Sequence, residues 1–219
     1  FLHSVVTSPQ PTYVYRLSSL IRVRESAQIA VASKEFSESS NAELHLLGLS
    51  WRIAEGDAAA LQALAADTAA LHRKAPIETM LVGSLSVYSN VDPGGVAALG
   101  AIARSIPGGF LEQAVSFALR RIHNRPSLDY AVQLLDSSLA TVRENAIATF
   151  SMYVLQVPPL DEVNGHAVFE RALNPSTRKH VNADEEVHIH FGPMSDASAE
   201  SALIQYWREW YGRIKVAGQ

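Results

Sequence analysis

The chain has 219 residues, 47% of them hydrophobic and 18% charged, with a formal net charge of −4. This is a globular composition, long enough for one domain or one unbroken repeat array, and it excludes a disordered tail. The absence of cysteine removes disulfides, thiolate nucleophiles and Cys-based zinc sites, and the mildly acidic balance gives no global pull toward nucleic acid or anionic lipid.

No apolar run reaches the ~20 residues of a membrane-spanning helix, so membrane insertion is not expected. The first residue is Phe1 and Lys is scarce, which favours a secreted or periplasmic protein that has lost a leader over a cytoplasmic one.

Residues 1–12 carry Pro9 and Pro11 and no helical period, and are read as an extended arm. A first helical segment is predicted from Tyr13 to about Phe36, broken by the polar run 37–41. Asn41 is placed to cap a helix over 42–54 with Leu44, Leu47 and Trp51 on one face. Glu55-Gly56-Asp57 is a turn, and Asp57 caps a helix whose stripe runs through Leu61, Leu64, Ala65, Thr68 and Leu71.

Pro76 and Pro93 sit where a first-turn proline belongs, since its missing N–H is not needed there. The first opens a helix with Ile77, Met80, Leu81, Ser84, Leu85 and Tyr88 in rhythm. The second, after Asp92, opens one with Val96, Leu99 and Ala103 inward. Pro107-Gly108-Gly109 ends that helix, and Leu111, Ala114, Val115, Ala118, Leu119 and Ile122 form the next stripe. Residues 124–127 are read as a turn, followed by Leu128, Ala131, Val132 and Leu135, and then by a helix with Val142, Ala146, Phe150 and Val154 facing in.

Two segments share a word. Ser18-Ser19-Leu20-Ile21-Arg22-Val23-Arg24-Glu25-Ser26-Ala27 and Ser137-Ser138-Leu139-Ala140-Thr141-Val142-Arg143-Glu144-Asn145-Ala146 agree at seven of ten positions. Helix starts near Ala42, Pro76, Gly108 and Leu139 fall 31 to 34 residues apart, the mark of a repeat array. The V-R-x-x-A pattern in both words, with the Glu55-Gly56-Asp57 turn, resembles the HEAT-type (armadillo-like) repeat family over roughly residues 13–156. The middle units carry Leu44-His45 and Phe110-Leu111-Glu112 where Val-Arg would stand. The resemblance implies an all-α fold, a right-handed α-solenoid of antiparallel helix pairs, and a role in binding proteins or peptides.

Residues 157–219 differ in texture and are read as a C-terminal loop and capping helix of the same domain. Val187-His188-Ile189-His190-Phe191 alternates like a short strand. Asp196 is placed to cap a last helix with Leu203, Trp207, Trp210, Tyr211 and Ile214 on one face and Tyr206 off it.

Three groups invite chemistry. On a strand, His188 and His190 point to one side and can reach one metal ion, with His166, His180, Asp184, Glu185 and Glu186 as further donors. A metal-dependent hydrolase is therefore the alternative function. The plainer account is an edge strand with both histidines in water. Arg120, Arg121, His123 and Arg125 gather at a helix end, where the helix dipole favours cations without any ligand. The aromatic group near the C-terminus reads as core. Arg143 and Glu144, like Arg24 and Glu25, diverge on a helix and form no joint site.

The leading expectation is a non-enzymatic scaffold module that needs no cofactor, a monomer or weak dimer, with a protein or peptide as its partner. The partner-facing candidates are His45, Arg52, Glu78, Glu112, Arg120, Arg143 and Glu144, on the polar faces of the second helix of each pair. A purely structural segment of a larger scaffold is a third possibility.

Overall fold

The computed structural model describes residues 26–67, 71–72, 77–156 and 197–217. Among them the regular elements are nine α-helices. They are α1 (Ser26–Ser37), α2 (Ala42–Ala54), α3 (Ala58–Ala66), α4 (Ile77–Val87), α5 (Pro93–Ser105), α6 (Phe110–Ile122), α7 (Arg125–Leu134), α8 (Ala140–Val154) and α9 (Ala197–Ala217). The arm at 1–12, the first shared word up to Glu25, Pro76, the strand expected at 187–191 and the Asp196 cap lie outside the described residues. The chain divides into two compact units, Phe1–Val115 and Ser116–Gln219, with the division inside α6.

In the first unit, local capping sets the helix boundaries. The Asn41 side chain accepts from the Glu43 and Leu44 N–H groups at 2.9 and 3.3 Å, satisfying two donors that the helix itself leaves orphaned. Asp57 does the same for Ala59 and Ala60 at 2.9 and 3.0 Å, after a turn in which Gly56 takes φ +87°. Asp92 accepts from Gly95 N–H at 3.0 Å with Pro93 in the first turn.

Helix α2 packs on α1, α3 and α4, and α3 packs on α5. A core cluster of Ala32, Phe36, Leu47, Trp51 and Met80 joins α1, α2 and α4, flanked by Leu44. Phe36 and Trp51 meet with ring centroids 5.7 Å apart. Gly48 lets α1 and α2 approach closely: a Cβ there would stand 2.6 Å from the Ser33 carbonyl oxygen and 2.7 Å from the Phe36 carbonyl carbon.

Two boundaries differ from expectation. Helix α3 stops at Ala66, where Asp67 leaves helical geometry and its N–H bonds back to Ala63 and Leu64. The buried Leu71 therefore follows a break instead of extending the stripe. Residues 124–127 are not a separate turn. Asn124 caps α7 by accepting from Ser127 N–H at 3.0 Å, and Pro126 fits the first turn because it needs no donor there.

In the second unit α7 packs on α8, and α9 touches both. Val142, Ala146 and Phe150 are buried as the stripe requires, whereas Val132 and Val154 are only partly covered. The Phe150 ring stacks on Trp207 with centroids 5.4 Å apart and meets Trp210 and Tyr211 edge-on. Burying such a side chain contributes ~1.5–3 kcal/mol, against ~0–1 for an exposed ion pair. The apolar stripes hold each unit, and the charges adjust it.

Candidate functional site

The partner-facing candidates of the first unit form a network within the chain. Arg52 Nε donates to Asp57 Oδ2 at 2.8 Å, Nη2 lies 2.7 Å from the same oxygen, and Nη1 donates to Ser37 Oγ at 3.1 Å. His45 Nδ1 stands 2.6 Å from the Ser37 carbonyl oxygen, an acceptor only, so Nδ1 carries the proton. The end of α1, the body of α2 and the start of α3 are thereby tied together. Burial pushes the Asp57 carboxyl up, but the Ala60 N–H, the Arg52 guanidinium and the Ala59 N–H together hold it below the usual range.

Glu112 is buried, and its carboxylate accepts from Gly108 N–H, closing the entrance to α6. Gly108 itself takes φ +78°. Glu78 lies in the first turn of α4, outside the residues whose side chains are described.

In the second unit, Arg120, Asn145 and Ser116 form a seam between α6 and α8. Arg120 Nη1 donates to Asn145 Oδ1 at 3.0 Å, and Asn145 Nδ2 donates to Ser116 Oγ at 3.0 Å. Burial pushes the Arg120 guanidinium down to about 10, with the nearby Glu144 carboxylate opposing the shift. It remains charged at neutral pH. Its Cζ lies 5.9 Å from the centroid of Phe117, a cation–π distance, and Phe117 is 39% exposed. Burial also lowers Arg121.

The structure disperses the basic group expected at the end of α6. His123 is buried with φ +31°, its Nδ1 2.8 Å from the Arg120 carbonyl oxygen. Arg125 Nη2 donates to the Ile214 carbonyl of α9 at 3.0 Å. Arg143 also turns to α9, with Nε and Nη2 donating to the two Glu200 oxygens at 2.8 and 3.0 Å and Nη1 to the Ser137 carbonyl at 2.8 Å. The pairing brings a raised Arg143 pKa, the Glu200 hydrogen bond being its main cause.

Sequence reasoning did not single out Ser116, Phe117, Asn145 or Glu200. Phe117 carried a signal: it is an aromatic residue outside the otherwise complete α6 stripe.

Trp207 and Tyr211 are buried, in line with the core reading of the aromatic helix, and Tyr206 is half-buried against Trp207. Among the described residues there is no group of three His, Asp or Glu placed to hold a metal ion, and His188 and His190 lie outside them. No described helix is long and apolar enough to cross a membrane. What α6 and α8 offer chemically is a cation beside an exposed aromatic ring and a neighbouring carboxylate, which suits recognition of another polar surface. No protein-family model, no curated protein and no solved structure matches the chain.

Proposed function

We propose that the chain is a non-enzymatic helical-repeat module, a right-handed α-solenoid of antiparallel helix pairs, that binds a protein or peptide. The observation that carries this reading is like-on-like stacking at near-constant spacing. The second helices of the pairs begin at Ala42, Ile77, Phe110 and Ala140, 35, 33 and 30 residues apart. The first helices begin at Ser26, Ala58, Pro93 and Arg125, 32, 35 and 32 residues apart. Within the first unit α2 packs on α4 and α3 on α5, the two-apart neighbours that stacked pairs require. Helix α6 buries the stripe Leu111, Ala114, Val115, Ala118, Leu119 and Ile122 and leaves Phe117 exposed, and arrays of this kind use such outward faces for binding.

His45, Arg52, Glu112, Arg120 and Arg143 serve internal bonds, so the partner-facing role falls on the exposed Phe117 of α6 and on Glu144 of α8, with Arg120 held between them. A partner that pairs with this surface carries charged groups around an apolar anchor, the usual anatomy of an interface.

Cross-linking capture from the native extract tests the reading, run with wild type, Phe117→Ala and Glu144→Arg in parallel. The expected result is one protein or peptide recovered reproducibly by wild type and lost from both variants, whose thermal melts stay unchanged. A partner retained by both variants sinks this surface. Capture of nothing by a stably folded chain favours the purely structural role.

A further inference from the structure

Arg143 was expected to face a partner, yet both oxygens of Glu200 in the same chain hold its guanidinium. Further polar links run along α9. Arg208 pairs with Asp136, the Tyr211 hydroxyl donates to Asp129, and the Ile214 carbonyl accepts from Arg125. An acid at 200, a base at 208 and a hydroxyl at 211 each meet a group of matching chemistry on α7, on α8 or in the turn joining them. Shifting the helix by one turn would break all of these links together, so the seating of α9 is register-specific.

The apolar part of this seating is narrow. Trp207 and Tyr211 are the buried side chains of α9 among the described residues, whereas α8 buries eight residues of its 15. Arg208 and Asp136 keep 38% and 73% of their side-chain surface in water. Gly212 lies within the helix where a Cβ would meet nothing within 4 Å, so it weakens α9 without serving a close approach. A helix seated on three aromatic side chains, only two of them buried, with one well-exposed charge pair and an exposed glycine lies nearer the low-stability end of its unit than α7 and α8.

We infer that α9 is a resident, displaceable ligand of the surface formed by α7 and α8. It occupies a site for an amphipathic helix bearing an acid, a tryptophan seven positions on and a tyrosine four beyond that, and a partner helix of this pattern replaces it. The contact is autoinhibitory, because Arg143 can serve only one of the two carboxylates. The inference rests on the binding-module reading and adds the chemistry of one partner and the device that controls access to it.

Hydrogen exchange on the intact wild-type chain tests the first half. The α9 amides are expected to exchange at least about tenfold faster than those of α7 and α8. Exchange of all three helices at a single rate overturns the inference.

The second half uses the full chain carrying Glu200→Arg and Arg208→Glu, titrated with a fluorescent peptide of residues 197–217. Saturable binding at least about tenfold tighter than to wild type is expected, and a peptide carrying Glu200→Arg should lose it. Equal affinity for the two chains, or indifference to the peptide's charge, overturns it. If the double variant does not fold, the wild-type exchange experiment decides alone. Neither readout depends on partner capture, so failure of the capture experiment is distinguishable from failure of this one.

Discussion

Gly48→Ala gives a sign test of the packing argument, because helix propensity and tertiary packing oppose each other there. Alanine in mid-helix is favoured over glycine by ~1 kcal/mol, so propensity alone predicts stabilisation. The new Cβ, however, would lie 2.6 and 2.7 Å from backbone atoms of α1, where ordinary contact begins at 3.4 Å. Backbone cannot swing aside as a side-chain tip can, so α1 must retreat by roughly 1 Å. That retreat loosens the Phe36–Trp51 contact and the cluster with Ala32, Leu47 and Met80.

Overpacking of this kind costs ~1–3 kcal/mol. Set against the propensity gain, the net loss is up to about 2 kcal/mol, a fall in Tm of up to about 8 °C for a chain of this size. Gly83→Ala in α4 is the control, since its Cβ meets nothing within 4 Å; a gain of ~0.5–1 kcal/mol is expected. Urea unfolding followed by far-UV circular dichroism measures both. If Gly48→Ala is more stable than wild type, as Gly83→Ala is expected to be, the close approach of α1 and α2 is not as described.

Other outcomes follow from single contacts. The buried Tyr88 hydroxyl finds no hydrogen-bond partner among the described residues, and burial, with Asp92 and Asp57 nearby, pushes it up to about 12. Tyr88→Phe is therefore expected to be neutral or stabilising by ~0–1 kcal/mol in urea unfolding at pH 7. Tyrosine ionises near 10 when unfolded and near 12 in place, so this group makes stability fall as pH rises between those values. The variant should lose that part of the alkaline slope, and an unchanged slope would count against the burial of Tyr88.

For Asp57 the sign is opposite: its folded pKa is lowered, so its contribution is present above the unfolded carboxylate pKa and lost as pH falls through the folded one. Asp57→Ala should cost ~1 kcal/mol through the lost cap at pH 7 and show less acid sensitivity, read from melts at a series of pH values. Trp207→Ala removes the stack on Phe150 and should cost ~3–5 kcal/mol in the second unit, measured by denaturant unfolding with fluorescence of the remaining tryptophans. A double-mutant cycle on Arg143→Ala and Glu200→Ala should return a coupling of about 1–3 kcal/mol, and additivity would show that the pair is not formed in solution.

The helix starts capped by Asn41, Asp57 and Asp92 were legible in the sequence because a cap acts within two or three residues of itself. A side-chain oxygen meets orphan N–H groups of its own first turn, whatever lies elsewhere in the fold. The inward residues of α4, α5 and α6 were legible for a similar reason, since a period of 3.6 marks which face must leave water. At Asn124 the same capping chemistry is present, but the proline two residues later reads in the sequence as a break and not as a first-turn residue.

Tertiary structure alone decided what each face meets. The stripe of α2 says that Leu47 and Trp51 are buried, but nothing in its period says that Gly48 must face the backbone of α1. Arg143 looks like a surface cation in its own helix, and its partner Glu200 stands 57 residues further on. Arg125 bonds a carbonyl 89 residues away, and Arg120 is desolvated by neighbours its local sequence does not name. Periodicity and capping are local energies, fixed by residues one turn apart. Ion-pair choice and close approach depend on distances between helices, and those are set by the packing of the whole unit.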